Sequence, residues 1–139
     1  MKTVEEIARM AYEYNHDRGY MCSESVVHAM NDGLGLGLPA ELLAASSSFG
    51  GGMSSGCACG ALAGGQIVLG ALKGRTAPTE GAAVIRASAG ELHDFFKTAN
   101  KSTCCRVLTR GGKDRERCAS LTRSVVEKVL EMTSKGGMR

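Results

Sequence analysis

The chain has 139 residues, of which 43% are hydrophobic and 22% are charged, a balance typical of a globular protein and not of a disordered chain. The length fits one ordinary domain and argues against two independent ones. The net charge is +3 and tryptophan is absent. No basic stripe carries aromatic residues that could stack on bases, so the sequence argues against nucleic-acid binding. We therefore expect a single cysteine-containing domain over residues 1–139.

The sequence also argues against export and against a membrane span. Glu5 and Glu6 lie close to the start and no apolar core precedes Asn15. No signal peptide is predicted, and we expect a cytoplasmic protein whose thiols stay reduced. Residues 42–72 carry no charge, but serines and glycines interrupt them and leave 57–72 as the apolar part. That part is shorter than the roughly 20 residues that span a bilayer.

Helical periodicity without a convincing alternating strand predicts an all-α fold, a compact bundle of about five to six helices. Thr3 and Glu6 have the spacing of a capping box, which predicts a first helix that ends near Asp17. A second helix is predicted from near Cys22 to a glycine-rich turn. Pro39 suits the first turn of a short third helix.

A glycine-rich loop over 50–56 precedes a helix that we predict over 57–73. Its small residues Gly60, Gly64 and Ala71 form a ridge that lets another backbone approach closely. Glycine inside a helix costs about 1 kcal/mol relative to alanine, so close packing must compensate. The same ridge would suit the face of a homodimer.

Two longer amphipathic helices complete the bundle. The first is predicted from Thr79 to about Asn100. Gly111 and Gly112 then break the chain, and Asp114 can cap the last helix. The apolar stripe of that last helix consists of Cys118, Leu121, Val125, Val129 and Met132.

The cysteines fall in separate segments of the chain. Cys22 and Cys118 lie on the apolar faces of their predicted helices. Cys59 lies near a helix N-terminus, where backbone N–H groups and the helix dipole favour a thiolate, so we expect a lowered pKa there. Cys57 is two residues earlier and can point elsewhere.

Cys104 and Cys105 are adjacent. Their Cα atoms can be only about 3.8 Å apart, closer than the usual disulfide span, so a bond between them would be strained and easily reduced. A redox switch, or two thiols that serve different partners, fits this pair better than a structural staple. Free cysteine often packs simply as a small hydrophobe, but a glycine loop, a helix N-terminus and a vicinal pair in one short chain favour chemistry.

The segment from Cys59 to Gly64 reads Cys-Gly-Ala-Leu-Ala-Gly. Together with one cysteine upstream and two downstream, it resembles the C_GCAxxG_C_C family of redox-active proteins, which is similar to the N-terminal region of split-Soret cytochromes. The resemblance covers nearly the whole chain. It implies an iron–sulfur cluster or a thiol redox site. The implied ligands are Cys22, Cys59, Cys105 and Cys118, with Cys57 and Cys104 as alternates and with Gly56 and Gly60 allowing close backbone approach.

Three classes of function follow from these residues. Four thiolates can hold a [2Fe–2S] or [4Fe–4S] cluster for electron transfer or redox sensing, with another redox protein as the partner. Zinc competes for the same ligands, although the short paired spacings of most zinc sites are absent. The second class is metal-free thiol–disulfide exchange at Cys59 or at the Cys104–Cys105 pair, although no Cys-x-x-Cys motif supports it. The third is a structural helical module without cysteine chemistry.

Some activities are not expected. The sequence lacks the Cys-x-x-Cys-His motif of a c-type haem, so the cytochrome part of the resemblance does not carry over. No constellation of a hydrolase or transferase is present, so an electron carrier or another redox-active protein is the better interpretation.

Overall fold

The computed structural model describes residues 2–136. Within these residues the chain forms seven α-helices and no strand, which confirms the predicted all-α fold. The helices are α1 (Val4–Asp17), α2 (Cys22–Leu34), α3 (Ala40–Ala45), α4 (Gly60–Lys73), α5 (Ala83–Asn100), α6 (Cys105–Thr109) and α7 (Arg115–Gly136). No helix in this part of the chain has both the length and the apolar character that a membrane crossing requires.

The first helix begins as its capping signal predicts. The Thr3 hydroxyl accepts a hydrogen bond from the Glu6 backbone N–H at 3.1 Å, and the Glu6 carboxylate accepts one from the Thr3 N–H at 3.0 Å. The predicted cap of the last helix is also present, because the Asp114 carboxylate accepts from the Arg117 N–H at 3.1 Å. The predicted helix starts at Cys22 and after Pro39 are confirmed as well.

The start of α4 is not where the sequence predicts it. The helix begins at Gly60, three residues later than expected. The preceding residues instead pair with a distant segment: the Cys59 N–H donates to the Thr103 carbonyl at 2.7 Å, and the Cys105 N–H donates to the Cys57 carbonyl at 2.5 Å. This short antiparallel pairing joins the two cysteine-bearing segments.

The start of α5 is also later than predicted, at Ala83. The residues before it form a turn closed by their own side chains. The Glu80 carboxylate accepts from the N–H and the hydroxyl of Thr76, both at 2.8 Å, and the Arg75 guanidinium donates to the carbonyls of Pro78 and Glu80. The helix therefore does not begin at Thr79.

The core lies where α1, α2, α4 and α7 pack against one another, with α5 against α4 and α7. All residues of the predicted α7 stripe are buried, so that prediction is confirmed. The largest side chains with less than 2% exposure include Phe96, Ile7, Met30, Leu69, Leu92, Val26, Val68, Val125 and Val129.

The small-residue ridge of α4 is covered by α2 of the same chain. A Cβ atom added to Gly64 would lie 2.7 Å from the Ser23 carbonyl oxygen and 3.0 Å from the Val26 Cβ, and one added to Gly60 would collide with the Cys22 sulfur. Close packing thus compensates for these glycines, as expected. The expectation that the ridge offers a homodimer face is wrong, because α2 already occupies it.

Candidate thiol site

The six cysteines are all free thiols, and burial divides them into two groups. Cys57 is exposed and Cys104 is half-buried. The other four side chains are between 3% and 9% exposed. These four are Cys22, Cys59, Cys105 and Cys118, and we call them the thiol site. The predicted ligands are therefore the buried cysteines, and the predicted alternates are the more accessible ones.

Every thiol-site cysteine lies in the first turn of a helix. Cys22 is the first residue of α2, Cys59 is the N-cap of α4 and Cys105 is the first residue of α6. Cys118 is the fourth residue of α7. The first N–H groups of a helix have no partner within the helix and carry the positive end of its dipole. Four helix beginnings thus meet around these sulfur atoms, which favours negative charge on them.

Backbone donors reach two of the sulfur atoms. The Cys59 sulfur is hydrogen-bonded by the N–H groups of Ala61 and Leu62, and the Cys22 sulfur by those of Gly51 and Ser23. Each of these bonds stabilises a thiolate and lowers the pKa of its thiol.

Burial nevertheless outweighs these donors. It is the main cause that raises the pKa of Cys22, Cys118 and Cys59, the last to about 12. The expectation of a lowered pKa at Cys59 is therefore wrong, although its predicted place at a helix N-terminus is correct. Desolvation destabilises the Cys59 thiolate by more than the N–H donors stabilise it.

The thiol-site cysteines act on one another. Negative charge on Cys105 raises the pKa of the other three thiols, and charge on Cys22 raises that of Cys59 and Cys118. The geometry agrees, since Cys22 and Cys118 line one cavity and the Cys22 sulfur lies against Gly60, next to Cys59. Several thiolates can coexist here only if a cation compensates for their charge.

A threonine that the sequence analysis did not identify joins two of the thiols. The Thr109 hydroxyl lies 3.4 Å from the Cys105 sulfur and also hydrogen-bonds the Cys118 thiol, and its side chain is 2% exposed. The Gly112 N–H donates to this hydroxyl at 2.9 Å, which fixes its position. The spacing of four residues from Cys105 could have suggested the first contact, but the second depends on the tertiary fold.

The loop over 50–56 has an unusual backbone. Gly51, Gly52, Met53 and Ser54 are all left-handed, with φ between 55° and 64°. A Cβ atom on Gly52 would lie 2.8 Å from the Cys105 Cβ, so only glycine fits between this loop and the thiol site. The left-handed turn brings the Gly51 N–H to the Cys22 sulfur.

A cavity of about 210 Å³ opens beside the thiol site. Cys22 and Cys118 both line it, and Arg115 lies at its wall. The Arg115 guanidinium donates to the Asn15 carbonyl oxygen at 2.5 Å, and its charge lowers the pKa of Cys118 against the effect of burial. A positive side chain is thus held next to the sulfur atoms.

The two alternate cysteines lie outside this group. The Cys104 thiol donates to the Gly56 carbonyl oxygen at 3.2 Å. Gly56 itself packs against Arg106, and a Cβ atom there would lie 3.0 Å from the guanidinium. The close backbone approach to the site that the sequence predicts is confirmed at Gly60, where an added Cβ atom would collide with the Cys22 sulfur, whereas Gly56 faces Arg106 instead.

Across residues 2–136, no group of three or more histidine, cysteine, aspartate or glutamate side chains is arranged so that it could hold a metal ion.

A sequence model of the family described as "Putative redox-active protein (C_GCAxxG_C_C)" matches residues 20–132. The chain belongs to this family. The match spans well over half of the chain and includes all six cysteines, so the resemblance noted from the sequence is confirmed. Searches of the curated proteins and of the solved structures found no match. The family description makes this a redox-active protein.

Proposed function

We propose that the thiol site binds an iron–sulfur cluster, [2Fe–2S] or [4Fe–4S], and that the protein carries electrons or senses redox state in the cytoplasm. One observation carries the proposal. The four cysteines of the family pattern are the four buried ones, and they come from the first turns of four helices that meet at one place. Both cluster types are held by four cysteine thiolates.

The donor set and its arrangement fit such a cluster. Thiolate is the soft ligand that iron–sulfur clusters require. The four buried cysteines supply the four thiolates that either cluster type needs. Zinc accepts the same ligands, so iron, zinc and sulfide are measured together in the test below.

The chain supplies the surroundings that anionic sulfur needs. Backbone N–H groups donate to Cys22 and Cys59, the Thr109 hydroxyl reaches two further thiols, and Arg115 brings positive charge. When bound, an iron–sulfur cluster supplies one-electron redox chemistry. Hydrogen bonds to sulfur and limited solvent access set its potential. Burial raises the thiol pKa values and so disfavours thiolates. The N–H groups, the hydroxyl and the guanidinium offset part of that effect and stabilise negative charge on sulfur.

The test is purification without oxygen, followed by measurement of iron, zinc and acid-labile sulfide per chain and of the visible spectrum. We expect iron with matching sulfide and visible absorbance. Single replacements of Cys22, Cys59, Cys105 or Cys118 by serine should each abolish both. Cys57→Ser and Cys104→Ser are the matched controls, and each should keep the iron, the sulfide and the colour.

Other results would reject the proposal in different ways. Retained colour in Cys59→Ser and Cys118→Ser would reject this ligand set, and loss of colour in Cys57→Ser would make an alternate cysteine the ligand. Zinc without sulfide would make the site structural. No metal, with six titratable thiols, would leave thiol–disulfide chemistry as the function.

A further inference from the structure

Positive charge is concentrated next to the thiol site. The segment 101–117 contains six lysine or arginine residues and two acidic ones, a formal charge of +4, whereas the whole chain carries +3. This segment includes Cys104 and Cys105 and ends directly before Cys118. The charge of the rest of the chain is therefore slightly negative, and the thiol end holds the excess of positive charge.

The basic side chains in this segment are exposed. Arg106, Arg110, Lys113 and Arg115 all reach solvent. Two of them also have fixed positions. Arg106 donates to the Ser55 carbonyl oxygen at 2.9 Å, and Arg115 is tied to the first helix through a backbone carbonyl. A pre-positioned guanidinium loses less side-chain entropy when it binds an acidic group.

Exposed apolar side chains lie in the segments that border the thiol site. Five large hydrophobic side chains are exposed within the described part of the chain, and three of them lie in these segments, of which Met21 lines the cavity beside Cys22 and Arg115. Met21 (41% exposed) precedes Cys22, Met53 (47%) lies on the left-handed loop, and Val107 (69%) follows Arg106. We call these three side chains and the four basic ones the docking surface.

The backbone of the loop helps to present Met53. Its φ of 61° is in the left-handed region, which is unfavourable for a residue with a Cβ atom. The hydrogen bonds from Arg106 to Ser55 and from the Cys104 thiol to Gly56 hold this loop against the second cysteine segment. Strained backbone that is held in this way is typical of functional surfaces.

We propose that the docking surface binds an acidic electron-transfer protein. Exposed apolar residues among cations have the composition of a protein interface, in which methionine and arginine are enriched. The positive charge selects an acidic partner and accelerates its approach. The contact would place that partner over Cys22, Cys105 and Cys118, at the shortest path to the buried sulfur atoms. This inference rests on the proposed redox function and names the kind of partner that the site exchanges electrons with.

A protein partner fits this surface better than a nucleic acid does. The described residues of the surface include no aromatic ring for stacking on bases. Three exposed apolar side chains would contribute little to phosphate contacts, but they would form the centre of a protein interface.

The experiment uses the full chain, purified without oxygen, and a plant-type ferredoxin as an acidic one-electron carrier. The dissociation constant is measured at low and high salt, and NMR shifts of the labelled chain locate the contact. We expect shifts at residues 106–115 and at Met53, and weaker binding at high salt. Arg106→Glu combined with Arg110→Glu should weaken binding about tenfold or more at low salt. At high salt the difference should shrink, because exposed charges are screened.

The matched control combines Lys2→Glu with Arg86→Glu, two exposed cations outside the docking surface with the same change in net charge. This variant should bind the ferredoxin as the unchanged chain does. Equal weakening in both variants, shifts elsewhere on the chain, or no binding would overturn the proposal. Tighter binding of a 20-base-pair DNA duplex than of the ferredoxin would also overturn it. Because the readout is binding, it stays informative when the iron and sulfide measurement fails.

Discussion

The middle of the bundle and its thiol end are built on opposite principles. In the middle, regular helices bury aliphatic side chains such as Val68 and Val125 completely. At the thiol end, helices begin, a loop turns left-handed, and thiols are buried where their ionised forms are disfavoured. Apolar burial provides most of the stability of a folded domain. The stable middle can therefore support an end whose geometry serves chemistry at some cost in stability.

The largest expected effect lies within the thiol end, between its exposed and its buried cysteines. In the metal-free protein at pH 8, iodoacetamide should modify Cys57 far faster than Cys59. The pKa of about 12 lowers the thiolate fraction of Cys59 about a thousandfold relative to a thiol at 9. Mass spectrometry of digested samples gives both rates. Similar rates in the folded protein would show that the thiol end is open, and the unfolded chain in urea, where all six thiols react alike, is the control.

The same pKa shift predicts how stability depends on pH. The unfolded chain releases the Cys59 proton near pH 9, and the folded chain holds it until about 12. Its contribution to stability is therefore fully present below pH 9 and is lost as the pH rises toward 12. Urea unfolding of the metal-free protein should show a falling free energy of unfolding in this window. Cys59→Ser should flatten that fall.

The next largest expected effect is on the packing of α4 against α2, the contact that joins the two regions. Gly64→Ala places a Cβ atom 2.7 Å from the Ser23 carbonyl oxygen, which belongs to helix backbone and cannot move alone. We expect a loss of about 1–3 kcal/mol in the free energy of unfolding, measured in urea. Gly70→Ala is the control on the same helix, because no atom lies within 4 Å of its added Cβ. That variant should gain up to about 1 kcal/mol from helix propensity. A shift of both variants in the same direction would contradict the packing argument.

The smallest expected effect comes from the backbone strain of the loop over 50–56. Ser54 has a φ of 55°, whereas Ser55 is not left-handed. Ser54→Gly should raise the free energy of unfolding by about 0.5–1 kcal/mol, because glycine adopts this conformation without strain. Ser55→Gly should lower it by about 0.4–1 kcal/mol, since it only adds freedom to the unfolded chain. If Ser54→Gly also lowers stability, the loop is not strained, and the two regions do not differ in backbone strain.

Local signals predicted much of the fold. The capping box of Thr3 and the cap at Asp114 depend on residues three apart, and both are present. The two wrong helix starts have tertiary or competing local causes. Residues 57–59 pair with a segment more than forty residues away, and the side chain of Glu80 closes a turn where the helix is predicted to begin.

In the thiol site too, local features could be predicted from the sequence, and features that depend on the tertiary fold could not. The grouping of Cys22, Cys59, Cys105 and Cys118 came from the family resemblance, and the structure makes them neighbours. The raised pKa of Cys59 could not be predicted, because burial is a property of the folded chain. Thr109 was missed for the same reason, since its contact with Cys118 exists only after α6 and α7 pack together. The identity of any bound metal and the single-domain organisation stay predictions.

The joining of segment 57–59 to segment 103–105 also constrains how the protein matures. The site draws its cysteines from positions 22 to 118, and α7 must pack against α1 before the last thiol is in place. At a synthesis rate of about 5–20 residues per second, the ribosome needs roughly 5–20 s to proceed from the first of these cysteines to the last. During that time the four thiols are not yet buried together. Any inorganic group that all four hold must therefore bind after Cys118 has been made, well after the synthesis of Cys22 and Cys59.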